Sequence, residues 1–102
     1  EGEIPATIVH ETDSVVAFRD LNPMAPVHVL VIPRTHYRTV VELSADATAT
    51  AQLLEAAAVV AEAEGVAEGF RLVFNTGGDA GQEVDHVHAH VLGGRKLGWP
   101  PG

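Results

Sequence analysis

The chain has no cysteine among its 102 residues, which excludes both a disulfide framework and a thiolate metal site. Cations are scarce, with 6 Lys and Arg against 14 Asp and Glu, a net charge of −8 and an isoelectric point near 5.0. That balance argues against a nucleic-acid polymer as partner, because holding its phosphate backbone requires clusters of Lys and Arg. A single nucleotide remains open, since backbone N–H groups and histidines suffice to hold one. No apolar run approaches the ~20 residues of a membrane span, and Glu1-Gly2-Glu3-Ile4-Pro5 lacks the basic-then-apolar pattern of a secretory leader. A soluble cytoplasmic protein with no membrane partner is expected.

What is present suits one globular domain over residues 1–102, with 46% hydrophobic residues and no internal repeat. Residues 6–10 and 14–19 are rich in β-branched side chains and flank Glu11-Thr12-Asp13, which predicts a hairpin. Residues 20–26, with Asn22, Pro23 and Pro26, form a loop, and 27–32 a third strand that Pro33 ends. Over 45–64 the composition turns to Ala, Leu, Glu and Gln, which predicts a helix with Ser44 or Asp46 as N-cap and Gly65 just past its end. Leu53, Leu54, Ala57, Val60 and Ala61 make its apolar stripe. Residues 70–75 are a fourth strand, and a histidine-rich strand follows. The order predicts an α+β domain with an antiparallel five-stranded sheet and one main helix.

Three of the 6 histidines fall in His86-Val87-His88-Ala89-His90-Val91-Leu92. On a strand, side chains alternate, so His86, His88 and His90 would share one face about 6.5 to 7 Å apart. Imidazoles with an ordinary pKa near ~6.5 offer a neutral nucleophile, a proton carrier and an oxyanion contact at neutral pH. The same row suits zinc, with Glu83 or Asp85 to complete the site. The upstream Asn75-Thr76-Gly77-Gly78 and Gly81-Gln82 favour phosphate instead, because exposed glycine-loop N–H groups match an anion better than a cation.

With these residues in view, the sequence resembles the histidine triad nucleotide-binding proteins. The likeness rests on the alternating motif at His86 to Leu92. It extends through Ile4-Pro5-Ala6, Ala25-Pro26-Val27-His28-Val29-Leu30-Val31-Ile32-Pro33 with His36, Asn75-Thr76-Gly77, Gly81-Gln82 and Gly93-Gly94-Arg95. The ending Trp99-Pro100-Pro101-Gly102 is similar to the Hint branch of that family.

The resemblance implies a homodimer whose sheet continues across a two-fold axis. It implies a purine nucleoside phosphoramidase that cleaves P–N bonds, and aminoacyl adenylates, through a nucleotidyl-histidine intermediate, without metal or cofactor. Dinucleoside polyphosphate hydrolysis, or a nucleotide-binding interaction module with incidental hydrolysis, are the alternatives. By the same resemblance His88 is the nucleophile, His90 contacts a phosphate oxygen or the leaving group, and His86 with His28 orients the triad. Asn75, Gly81, Gln82 and Glu83 surround the phosphate. Asp20 takes the ribose, Phe18, Arg19 and Leu30 the base, and Trp99 reaches the partner subunit's site. His10 and His36 are read as surface or structural residues.

Three departures from the family pattern bear on substrate choice. Glu83 stands where Hint relatives have a serine, and Arg19 where histidine is common. The chain also begins inside the Gly-Glu-Ile-Pro-Ala segment, so a helix-like stretch that usually precedes it is expected to be missing.

Overall fold

The computed structural model describes residues 7–102; the segment of the resemblance at Ile4-Pro5-Ala6, and the first residue of the expected first strand, lie outside it. Strands β1 (Ile8–Glu11) and β2 (Val15–Arg19) form the expected hairpin. Its turn is closed by Thr12, whose hydroxyl oxygen accepts the N–H groups of Ser14 and Val15 at 3.2 and 3.0 Å. Strand β3 (Val27–Pro33) follows the proline-rich loop. After two helices the chain returns as β4 (Phe70–Phe74), then through a 3-10 turn at Gly78–Ala80 to β5 (Ala89–Gly93). The sheet is antiparallel throughout, in the order β1-β2-β3-β5-β4, so the two strands richest in site residues lie side by side at its middle.

One helix had no counterpart in the sequence reading. The short α1 (Val40–Ser44) is capped by Thr39, whose hydroxyl accepts the Glu42 N–H, while the Glu42 carboxylate accepts the N–H of Arg38. The main helix α2 (Ala47–Ala63) starts on Asp46, whose carboxylate accepts the Ala49 N–H at 3.0 Å. It ends at Gly65, where φ is +77° and a side chain would be strained. Gly65 N–H donates to Glu62 O and Val66 N–H to Ala61 O, satisfying carbonyls that the helix end leaves open.

The buried face of α2 is Leu53, Ala56, Ala57, Val60 and Ala61, packed on β1, β2, β3 and β5. Leu54 leaves the expected stripe and is 45% exposed. It lies about 100° around the helix from Leu53, and Ala56 fills the place one turn on. Beneath the helix, alternate strand residues Val15, Ala17, Val29, Val31, Ala89 and Val91 complete the core.

The histidine segment is strand only in part. The ladder begins at Ala89, and His86 and His88 precede it. There Val87 N–H donates to Tyr37 O at 2.7 Å, so this stretch is tied to the segment after β3 rather than to a neighbouring strand. Alternation nonetheless persists, with Val87 and Ala89 buried and the three histidines half-buried opposite them.

Candidate active site

The face of the sheet away from α2 carries His28, Leu30 and Ile32 from β3, Phe18 from β2 and His90 from β5. Leu30 stands opposite both Phe18 and His90 in the ladders, which brings an apolar wall against the histidines. A pocket of about 350 Å3 is lined by Phe18, Leu30, Ile32, Val84, His86 and His88. Phe18 and Leu30 were expected there. Ile32 follows from alternation with Leu30, whereas Val84 carried no sequence signal.

Each histidine nitrogen can be assigned from its partner, because a carbonyl only accepts and a backbone N–H only donates. His88 Nδ1 lies 2.8 Å from His86 O, so it carries the hydrogen and leaves the Nε2 lone pair free. Met24 N–H donates to His28 Nδ1 at 3.0 Å, so a neutral His28 holds its hydrogen on Nε2. That hydrogen points to His90 Nδ1, 2.9 Å away, and the hydrogen of His90 is thereby placed on Nε2. His90 Nε2 is buried with no partner among the described residues. The site therefore presents one free lone pair and one unsatisfied donor on neighbouring rings, with centroids 5.1 Å apart.

Burial disfavours the charged form of two of these rings, His28 and His90. The pKa of His28 is lowered by desolvation, with the nearby Asp20 carboxylate opposing. That of His90 is lowered by desolvation and then by the neighbouring His88 and His28, again against Asp20. Asp20 Oδ2 is 3.5 Å from His28 Nε2, while its Oδ1 accepts the Asn22 N–H at 2.8 Å and fixes the loop.

Asp20, His28 and His90 bring three potential metal-ligand atoms within 4.8 Å of one another, a different set from the His86-His88-His90 row. The set does not fit a metal well. A ligating imidazole donates its other ring N–H to an acceptor, whereas His28 turns its other nitrogen to the Met24 donor. Within the row, His86 and His88 do each donate a ring N–H to a backbone carbonyl, Pro33 O and His86 O respectively, but among the described residues the three rings of the row do not form a set with ligand atoms within 4.8 Å of one another.

The glycine loop, expected at the phosphate, is tied largely to itself. Gly77 and Gly81 adopt φ of +82° and +87°, which folds the loop onto itself. The N–H groups of Ala80, Gly81 and Gln82 then donate to carbonyls of Gly77 and Gly78, and that of Gly77 to Gln82 Oε1. Gln82 Nε2 donates to Arg38 O and Val84 O. Gly81 and Gln82 thus hold the loop's shape and offer no free donor from these groups to an anion. Asn75 follows Val73 on the histidine side of β4, half-buried, and no described side chain bonds to it. Glu83 is exposed beside Val84 at the pocket.

Arg19, expected at the base, does not line this pocket, and Trp99, expected to reach the partner subunit's site, is not among its residues either. Arg19 grips Glu64, at the end of α2, through both terminal nitrogens, because it alternates with Phe18 and faces the helix side. Trp99 is 82% exposed under the Arg71 guanidinium, 5.9 Å from its ring centroid, and Arg71 also donates to Gly98 O. His10 lines a cleft with Thr12, Gln52 and Glu55, remote from the triad. His36, read as surface or structural, is exposed and packs edge-on against His86.

The HIT domain family model matches residues 1–97. The purine nucleoside phosphoramidase of Escherichia coli is 50% identical over 98 residues, covering 94% of this chain and 82% of that one. A protein of Arabidopsis thaliana named adenylylsulfatase HINT1 is 47% identical over 105 residues, covering 98% and 70%. In structure, a HIT family hydrolase from Legionella pneumophila superposes with a TM-score of 0.92 at 50% identity, covering 99% of this chain and 92% of that one. With the triad geometry, these matches establish that the chain belongs to the HIT domain family and is one of its hydrolases.

Proposed function

We propose that the protein hydrolyses the P–N bond of purine nucleoside 5′-phosphoramidates and releases the nucleoside monophosphate. The observation that carries this reading is the pairing of one free lone pair, His88 Nε2, with one unsatisfied donor, His90 Nε2, beside an apolar pocket. His88 Nε2 attacks the α-phosphorus and forms a nucleotidyl-histidine as the P–N bond breaks and the amine departs with a proton taken from solvent. Water then attacks the same phosphorus, giving up a proton to solvent, and His88 leaves with its Nε2 lone pair restored. His90 Nε2–H donates to a non-bridging oxygen, where a preorganised donor stabilises the charge spread over the phosphoryl group. Its lowered pKa favours the neutral ring, whose one hydrogen is the Nε2–H that donates.

In this reading Phe18, Leu30, Ile32 and Val84 receive the base and Asp20 binds the ribose diol. Asn75 meets the phosphate, and Glu83 faces the leaving amine. No metal takes part, which agrees with the tautomer that Met24 imposes on His28. A second copy completes the assembly. Strand β4 is a sheet edge, and Phe70, Leu54 and Trp99 are exposed, so pairing β4 with its two-fold mate would extend the sheet and cover apolar surface. Micromolar sedimentation tests the dimer, and a monomer there contradicts it.

The test of function is turnover of adenosine and guanosine 5′-phosphoramidates, with acid-quench mass spectrometry for a nucleotidylated His88 peptide. Turnover above about 0.1 per second supports the enzyme, given typical enzyme rates of about 1 to 10³ per second. Nucleotide binding without turnover makes the protein a binding module, and faster cleavage of dinucleoside polyphosphates makes it a dinucleotide hydrolase.

A further inference from the structure

We propose that His36 is a positioning residue for the nucleophile and acts through His86. In its kinetic arm the inference rests on the reading of His88 given above. His88 sits on the stretch before Ala89, which has no ladder partner to hold it. What holds this stretch is the segment after β3. His86 Nε2 lies 3.0 Å from Pro33 O, and Val87 N–H donates to Tyr37 O at 2.7 Å. His36 adds a further tie, with its ring 87° to that of His86, centroids 4.9 Å apart and the two Nδ1 atoms 3.4 Å apart.

The direction of that last bond is fixed. Pro33 O can only accept, so neutral His86 carries its hydrogen on Nε2 and shows a lone pair at Nδ1. His36 must therefore supply its own Nδ1–H. The main-chain oxygen of the same His86 accepts the His88 Nδ1–H and so reserves the attacking lone pair. Pinning the ring of His86 thus fixes the carbonyl that sets the tautomer of His88. His36 does not line the pocket, so its influence passes through His86.

The test compares His36→Ala and His36→Gln with the intact protein in three measurements. These are the ¹⁵N signature of the His88 tautomer, the single-turnover rate of nucleotidylation by adenosine 5′-phosphoramidate, and the Kd for AMP. A part-exposed hydrogen bond of this kind predicts about a threefold to tenfold slower nucleotidylation in His36→Ala. The Kd should stay within about twofold, and the Nδ1–H signal of His88 should weaken. His36→Gln, whose amide can donate to His86, should restore most of both. An unchanged rate with an unchanged His88 signal overturns the proposal, as does a Kd that rises as much as the rate falls. If the intact protein turns over no phosphoramidate, the proposed function fails. The nitrogen spectra, which need no reaction, then decide the positioning role alone.

Discussion

The two faces of β3 and β5 are made from the same few residues, read alternately, and they are held to different standards. Toward α2 point Val29, Val31, Ala89 and Val91, all with no exposed surface, whose contribution is apolar area removed from water. Toward the pocket point His28, Leu30, Ile32 and His90, where each ring nitrogen has one partner or one task. The aliphatic face tolerates changes of similar volume, because dispersion and hydrophobic burial are non-directional. The histidine face does not, since moving one hydrogen from Nε2 to Nδ1 on His28 would reverse the chain from Met24 to His90. One strand thus supplies stability on one side and chemistry on the other, and the faces should separate under mutation.

The largest effect expected is on the chemical face. His88→Ala should reduce phosphoramidate turnover at least about 10³-fold, because it removes the electron pair that forms the covalent bond. Binding of AMP should stay within about tenfold, and unfolding free energy should change by about 1 kcal/mol, the value of one hydrogen bond. Stopped assays with wild type and variant at matched folded fraction measure this. Retention of more than a few per cent of the rate would remove His88 as nucleophile.

On the other face, Leu53→Ala should cost about 2–5 kcal/mol of stability, because Leu53 is fully buried against the sheet and leaves a cavity. In urea titration the midpoint falls, while kcat measured well below the transition stays within about twofold of wild type. A parallel loss of kcat would mean that the two faces are not independent.

The histidine face should also reveal itself in the pH dependence of stability. His28 and His90 have pKa values lowered below 6.5 in the folded protein, chiefly by burial, so the unfolded chain binds protons more readily as pH falls. Their neutral burial costs nothing extra above pH 6.5. Stability then falls as pH drops below 6.5, at up to about 1.4 kcal/mol per pH unit per histidine, until their folded pKa values are reached. The depressed carboxyls Glu42 and Asp46, held down by N–H bonds from Arg38 and Ala49, lose their contribution only below 4.5 and 3.8. Tm at pH 7.5 and 5.5 checks this, and His28→Gln should flatten the slope. An equal slope in that variant would assign the pH dependence to other groups.

Much of this two-faced design was legible in the chain. Period-two alternation put Val87, Ala89 and Val91 opposite the histidines even though the ladder starts only at Ala89, because side-chain direction outlasts strand hydrogen bonding here. Asp46 and Gly65 marked the ends of α2 by local chemistry. Helix α1 was missed because Val40-Val41 carries no helical period, yet Thr39-Val40-Val41-Glu42 is a capping-box pattern that signals a helix start. Long-range partnerships had no local signature. The Arg19–Glu64 pair spans 45 residues, and the donor that sets the tautomer of His28 is the backbone of Met24, a group every residue type except proline would supply. Nor does sequence tell which glycine-loop N–H groups fold inward, since that depends on the φ values of Gly77 and Gly81.

The smallest effect expected concerns the rim between the faces, at Glu83. Its side chain is exposed and adjoins Val84 of the pocket wall. If its carboxylate pairs with the departing amine, Glu83→Ser should reduce the preference for cationic, lysine-like amines over neutral ones. An exposed charge pair is worth around 1 kcal/mol or less, so the ratio of the two kcat/KM values should fall by roughly threefold, and at most about tenfold. Added salt should shrink the difference in the wild type but not in the variant, because screening acts only on the charged contact. Measuring both substrates in one competition assay cancels any general change in loop geometry. If Glu83 only shapes the approach to His86, both substrates change by the same factor, and an unaltered ratio removes the carboxylate from leaving-group recognition.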